Sequence, residues 1–247
     1  MKAVIMAGGR GTRVRPYTNV LPKPMLPVGN YPVLEIVIRQ LERQGFDEVI
    51  LSLAEKSEIV KNFFGNSGKF KAKLTFSEES HPLGTAGHLG SLKGKLTDSF
   101  LVMNGDTIAD MDYRQYAETH KKSGAAATLA IKTHISVIEY GVPKLDADGK
   151  VVEYKEKPSS EVPISIGIYM LEPEVLDFVE NGKFLDMPDL IRKLIEAKKQ
   201  VRTFALPGDR IFYHLSKPVD FEKANESWRD VIKQLKLDDV LDTSDGS

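Results

Sequence analysis

The chain has 247 residues, with 34 Lys and Arg against 35 Asp and Glu for a formal net charge of −1, and it contains no cysteine. That balance offers no electrostatic case for nucleic acid or an anionic membrane surface, and neither a disulfide framework nor a thiolate metal site can be built. The length accommodates one large α/β domain or two small ones, no apolar run approaches the roughly 20 residues that span a bilayer, and the opening Met1–Ala7 is too short for a signal h-region, so a cytoplasmic protein is expected.

Apolar runs alternate with segments of helical period, the pattern of βαβ units around a parallel sheet. Ala3–Met6 reads as a buried strand, and Pro32 opens a helix with Val33, Leu34, Val37, Ile38 and Leu41 on one stripe. Val49–Leu53 is the second strand, followed by a helix over Ser57–Phe64 and strands at Leu74–Ser77 and Phe100–Met103. A helix over Tyr113–Lys122 and the apolar run Ala126–Ile131 continue the alternation. The plan is doubly wound and mostly parallel, Rossmann-like, in which ligands bind beyond the carboxyl ends of the strands.

From about Thr133 the texture becomes β-rich. Strands are expected at Val137–Leu145, Val151–Glu156 and Ile164–Met170, with Asp146–Gly149 as a turn. Helices at Pro173–Val179 and Pro188–Lys198, strands at Val201–Leu206 and Ile211–Leu215, and a helix from Pro218 follow. Residues 1–235 are read as one domain, in which an inserted half over 133–235 completes one site with the half over 1–132. The acidic, small-residue-rich stretch 236–247 is expected to be a flexible tail.

The first loop carries the strongest chemical signal. After the opening strand come Ala7, Gly8, Gly9, Arg10, Gly11, Thr12 and Arg13, with Arg15 close behind. Glycines let a backbone bend and approach a ligand closely, and bare N–H groups beside fixed guanidinium charges suit a triphosphate. Lys23 lies between Pro22 and Pro24, with Pro27 beyond, which restricts where its ammonium can go. A Walker loop is excluded because Gly11 is followed by Thr12 and Arg13, and a dinucleotide fingerprint because Val14 holds its third glycine position. Further along, Asp106 follows an apolar strand within Asn104-Gly105-Asp106-Thr107. A carboxylate there can hold Mg²⁺ against substrate phosphates.

Gly8-Gly9-Arg10-Gly11-Thr12-Arg13-Val14-Arg15-Pro16-Tyr17-Thr18 followed by Pro22-Lys23-Pro24-Met25 resembles the sugar-1-phosphate nucleotidylyltransferases, the nucleotide-sugar pyrophosphorylases. The resemblance continues through Asn104-Gly105-Asp106, Tyr140-Gly141-Val142 and Glu156-Lys157-Pro158, over about the first 225 residues. It implies transfer of a nucleotidyl group from an NTP to a sugar-1-phosphate, with Mg²⁺ or another divalent ion as cofactor. Arg13 is assigned to the β- and γ-phosphates, Lys23 to the α-phosphate and Asp106 to the metal. Ala7, Gly8, Gly9, Gly11, Thr12, Gly84, Thr85 and Gly87 are assigned to the nucleotide. Gly105, Tyr140, Gly141, Glu156, Lys157, Ser165 and Gly167 are assigned to the sugar phosphate, with Lys157 as its charge partner.

Gly87 in Gly84-Thr85-Ala86-Gly87 looks most like the GDP-sugar branch, and Leu21–Val28 resembles mannose- and heptose-1-phosphate guanylyltransferases. GTP is therefore the first choice, with UTP, CTP and dTTP left open. Two positions depart from the pattern. His214 stands where relatives have a metal-binding aspartate, between Phe212 and Ser216 at the aromatic and glycine positions, and Ser165 replaces a sugar-binding asparagine. Imidazole suits softer divalent ions better than Mg²⁺, so His214 is a doubtful metal ligand. The same departures keep open a catalytically weak subunit that senses nucleotide sugars. A glycosyltransferase on the same core is disfavoured because it would not need the Arg13 and Lys23 clamp. Relatives often form homodimers or homotetramers, and the residues alone leave assembly open.

Overall fold

A computed structural model describes residues 1–65 and 68–242. A 7-stranded sheet forms from β1 (Lys2–Met6), β2 (Glu48–Leu53), β3 (Lys73–Glu78), β4 (Phe100–Asn104), β5 (Ala127–Val137), β6 (Ser159–Leu171) and β7 (Val201–Ala205), in the spatial order β7-β5-β6-β4-β1-β2-β3. β1 pairs in parallel with β2 and β4, β2 with β3, and β5 with β7; β6 runs antiparallel to both β4 and β5.

The sheet is covered on both faces, which is why its central strands are near-continuous apolar runs. Ala3 and Ile5 of β1 belong to one core with Leu34, Val37 and Leu41 of α1 (Val33–Arg43) and Phe64 of α2 (Ser57–Gly65). Tyr113 and Tyr116 of α3 (Tyr113–Ser123) join the same core. On the other face Val4 packs in a second core with Ala86, Leu89 and Leu190 and Leu194 of α4 (Met187–Glu196). The alternation of Ala3 and Ile5 against Val4 is the two-residue period of a strand buried from both sides.

The chain leaves β1 toward β2 and β3 on one side, then returns to the other side as β4. The carboxyl ends of β1 and β4 therefore meet where the winding reverses, the place an open α/β sheet leaves a crevice. Backbone bonds fix this edge: the Ala7 N–H donates to the Ser52 carbonyl at 2.8 Å, and the Gly105 N–H to the Met6 carbonyl at 2.9 Å.

Two sequence expectations change here. The strand expected over 137–145 is split, because residue 137 ends β5 and a separate short strand, Val142–Leu145, pairs with Val151–Lys155 as a ribbon. The tail is not free along its whole length. Leu237 and Leu241 are buried in the first core, and the Leu237 N–H donates to the Ile232 carbonyl at 2.9 Å. Two leucines four residues apart give this acidic stretch an apolar anchor. Residues 243–247 of the expected tail lie outside the described residues.

Among the described residues, no helix is long and apolar enough to cross a membrane.

Candidate active site

A cleft of about 750 Å³ opens at the carboxyl ends of β1 and β4. Its walls include the loop Ala7–Arg13, Lys23 and Pro24, Glu79–Pro82, Gly84 and Thr85, Asn104, Asp106, Phe184, His214 and Ser216. Stretches far apart in sequence thus converge through the sheet's topology.

The loop is shaped by Gly11, whose φ of +61° lies in the left-handed region. A Cβ there would sit 2.7 Å from Thr18 Cγ2. The Thr18 hydroxyl donates to the Gly11 carbonyl at 2.8 Å, closing the turn from inside. Among the described residues, the N–H groups of Gly8, Gly9, Arg10 and Gly11 carry no backbone hydrogen bond. A run of free donors of this kind is an anion cradle. Arg13 is exposed at the cleft and Arg10 pairs with Glu55 at 3.2 Å.

Lys23 is the unusual member. Its side chain is only 9% exposed, yet it is charged, and its Nζ donates to Asp106 Oδ2. A buried ammonium is tolerable only beside a compensating charge. The other Asp106 oxygen, Oδ1, lies 3.7 Å from His214 Nδ1. His214 is held there by the antiparallel pairing of Phe212–His214 with Thr107–Ala109, which sets His214 opposite Thr107. The Leu215 N–H also donates to the Asp106 carbonyl at 2.9 Å. Lys23, Asp106 and His214 therefore form one polar cluster across strand ends.

Gly84 and Thr85 line the cleft, but much of their backbone role is internal. Gly84 has φ +78°, and a Cβ there would meet the Leu185 carbonyl oxygen at 2.6 Å. Thr85 donates its N–H to Asp186 Oδ1 at 3.0 Å and accepts from the Met187 N–H at 2.7 Å. Gly87 does not line the cleft: it is buried, its N–H donates to the Leu185 carbonyl at 3.0 Å, and it packs against residues 183–185. A side chain at Gly84 must take a strained φ and collide with backbone. Gly84→Ala is expected to destabilise the fold by about 1–3 kcal/mol, lowering Tm by roughly 2–4 °C per kcal/mol for a chain of this size. A thermal melt checks this.

The residues assigned to the sugar phosphate divide into two groups. Gly167 sits in an irregularity where the β5–β6 ladder breaks between Ser165 and Tyr169. A Cβ on Gly167 would lie 2.3 Å from Asn104 Nδ2, so the break abuts the cleft wall. The Ser165 hydroxyl is within 3.2 Å of the Tyr169 hydroxyl. Gly105 lies beneath the floor, against the Met6 carbonyl. Tyr140, Gly141, Glu156 and Lys157 do not line the cleft. They gather where the ribbon joins β5 and β6, where Tyr140 is 78% exposed and Lys157 stands 4.0 Å from Glu139. A Cβ on Gly141 would overlap the hydroxyl of the exposed Tyr154, which would have to swing aside.

Sequence reading missed Glu79. Its carboxylate is 6% exposed, accepts the Leu83 N–H at 3.0 Å and stands 3.4 Å from the Ser52 hydroxyl. An acid directly after a parallel strand, at the crevice edge, was the available signal. His88, expected to be a packing or helix-surface residue, is buried with its Nε2 2.7 Å from the Ser77 hydroxyl, and burial lowers its pKa. Phe184 reaches the cleft from a loop and had no sequence signal.

Residues 2–236 match the family described as nucleotidyl transferase. The chain belongs to that family. UTP–glucose-1-phosphate uridylyltransferase of Synechocystis is 35% identical over 80% of this chain and 56% of its own length. Mannose-1-phosphate guanylyltransferase 1 of Arabidopsis thaliana is 38% identical over 90% and 63%. D-glycero-alpha-D-manno-heptose 1-phosphate guanylyltransferase of Aneurinibacillus thermoaerophilus is 33% identical over 92% and 97%. The structure of HddC from Yersinia pseudotuberculosis complexed with GMP-PN superposes with a TM-score of 0.72 at 26% identity, covering 92% of this chain and 99% of the other. The chain thus spans little more than half the length of the cyanobacterial relative and under two thirds of the plant one. For a nucleotidyl transferase the donor set matters next. Among the described residues no group of three or more metal-ligating side chains occurs. A single carboxylate completed by substrate phosphates and water is nevertheless a common arrangement for Mg²⁺, so Asp106 fits a divalent ion.

Proposed function

We propose that this chain transfers a nucleotidyl group from an NTP, with GTP preferred, to the phosphate of a sugar-1-phosphate, giving an NDP-sugar and pyrophosphate. The observation that carries this reading is the Lys23–Asp106 pair, set between a glycine-rich cradle and the end of β4 within one cleft. A sugar-phosphate oxygen forms a bond to the α-phosphorus, the bond from that phosphorus to the bridging oxygen breaks, and pyrophosphate leaves. No nucleophilic side chain is required; positioning and charge stabilisation do the work.

The free N–H groups of Gly8, Gly9 and Gly11, together with Thr12 and Arg13, are assigned to the β- and γ-phosphates, and Lys23 to the α-phosphate. Asp106 would hold Mg²⁺ or another divalent ion, which supplies positive charge to the phosphate oxygens when bound. The half over 133–235 is assigned to the sugar. Ser165, Gly167 and Gly105 are assigned to its floor, and Tyr140, Gly141, Glu156 and Lys157 to the base of the ribbon, with Lys157 as the charge partner of the sugar phosphate. Gly87 supports the segment that carries Gly84 and Thr85. The setting assigned is cytoplasmic, and the state of assembly, following the resemblance, a homodimer or homotetramer.

Glu79 supports the choice of base. Guanine presents two adjacent donors, N1–H and the N2 amino group, and a carboxylate is an acceptor-only group able to take both. Uracil and thymine offer one N–H between two carbonyls, which face a carboxylate poorly. Hydrogen bonds to a charged group contribute about 1.5–3 kcal/mol, so Glu79→Gln is expected to lower kcat/KM for GTP roughly tenfold to a hundredfold while leaving UTP or dTTP little changed. The names of the guanylyltransferase relatives agree with GTP, and the cyanobacterial relative keeps UTP as the competing donor. The test is pyrophosphate release with each of four NTPs against glucose-1-phosphate, mannose-1-phosphate and a heptose-1-phosphate. Release with GTP and a manno-configured phosphate supports the reading. Release only with UTP transfers the assignment to a uridylyltransferase, and silence with every pair beside tight NDP-sugar binding favours a sensor.

A further inference from the structure

We propose that Lys56, which lies outside the cleft wall, is a positioning residue that holds the phosphate loop in its donor-lined shape before a triphosphate arrives. The inference rests on the proposed function and deepens it, since this loop is the one assigned to the β- and γ-phosphates.

Among the described residues, four non-glycine residues take a left-handed φ: Lys56 at +64°, Lys157 at +44°, Lys198 at +56° and Lys236 at +56°. Lys198 and Lys236 follow the helices Met187–Glu196 and Trp228–Gln234. Their N–H groups donate back to the Ile195 and Lys233 carbonyls at 2.9 Å each, the ordinary way to close a helix end. Lys157 belongs to the motif assigned to the sugar phosphate. Lys56 ends no helix; it lies between β2 and α2, immediately before α2 begins. A residue with a Cβ stays in this region only where its surroundings over-determine it, and such positions cluster where the strain serves function.

The Lys56 side chain spans to the phosphate loop. Its Nζ donates to the Thr18 carbonyl. Thr18 is buried, and its hydroxyl donates to the Gly11 carbonyl at 2.8 Å, so the grip passes from Lys56 through Thr18 to the turn that shapes the cradle. The two residues before Lys56 brace the same loop. A Cβ on Gly8 would stand 3.1 Å from Ala54 Cβ, and Glu55 pairs with Arg10 at 3.2 Å. Ala54 and Glu55 line the cleft while Lys56 does not, so Lys56 acts through Thr18 and not on the phosphates. A loop whose donors are already aimed spares the ligand the cost of ordering it.

The test titrates whole protein calorimetrically with GTP and, separately, with inorganic tripolyphosphate, both with Mg²⁺. Lys56→Met and Lys56→Gly should each lose affinity for both ligands by roughly tenfold or more, the worth of a charge-assisted hydrogen bond, and Lys56→Arg should restore it. KM for GTP should rise in step while kcat stays within about twofold. Glycine adopts the left-handed φ without strain, so Lys56→Gly should melt no lower than Lys56→Met. An equal loss of affinity in the two then follows the ammonium and not stability. Thr18→Val should reproduce the loss, and combining it with Lys56→Met should add little, as expected of two links in one chain. In the free protein the amides of Val14, Asn19 and Leu21, which close the turns of this segment, should exchange faster in both Lys56 variants. Unchanged affinity, affinity that tracks Tm across the variants, additive losses with Thr18→Val, or unchanged exchange overturns the proposal. If the parent binds neither GTP nor tripolyphosphate, the proposed function fails, and the exchange measurement still decides whether Lys56 holds the loop.

Discussion

Lys23→Ala is expected to cut turnover by roughly two to three orders of magnitude, the cost of removing one preorganised charge from a desolvated transition state. The structure adds a consequence that the sequence alone did not give. The Lys23 ammonium also neutralises Asp106, whose side chain is only 16% exposed. Removing one partner of such a pair leaves an uncompensated carboxylate, so Tm should fall as well. The two effects separate in a cycle. Lys23→Ala/Asp106→Ala removes both charges and should regain part of the lost stability while recovering no activity. A double variant that regained turnover along with Tm would mean that Lys23 serves folding and not transfer.

Asp106→Asn carries the second large effect. The amide keeps the shape of the side chain but removes the charge that would hold a divalent ion, and turnover should fall about a hundredfold or more. Binding should move the other way. With its carboxylate partner neutral, Lys23 is freed toward phosphate, so GTP binding in metal-free buffer should be as tight as in the parent or tighter. Steady-state kinetics and calorimetry together check this split. A loss of metal-free GTP affinity equal to the loss of turnover would contradict the separate roles given to Asp106 and Lys23.

The loop wall of the cleft was legible because its residues are contiguous in sequence. Gly8 to Arg13 and Lys23 belong to one short segment following one strand, and their spacing already encodes an anion cradle. The doubly wound sheet was legible for a related reason: β1, β2 and β4 are short apolar runs buried on both faces and separated by helical periods, with β3 the half-buried strand at the edge. The antiparallel placement of β6 between β4 and β5 was not legible, because pairing direction is set by which edge is free when the strand arrives and leaves no mark in residue pattern. Glu79 was hidden for a different reason. Its neighbours Glu78 and Ser80 are equally polar, and only the fold reveals that Glu79 alone of the two acids turns into the cleft. The tail misled because its composition is acidic, while its stability comes from two leucines. The base of the ribbon, with Tyr140, Gly141, Glu156 and Lys157, was recognisable only through resemblance, and the structure leaves it beside the cleft and not in its wall.

The most direct measurement is a calorimetric titration of the purified chain with each nucleoside triphosphate, with and without divalent cation, repeated on Arg13→Ala. Saturable uptake of one triphosphate per chain, strongest for GTP and weakened by loss of Arg13, is the predicted result. No heat with any triphosphate or sugar nucleotide, or uptake unaffected by Arg13→Ala, would contradict the placement of the phosphates in this cleft.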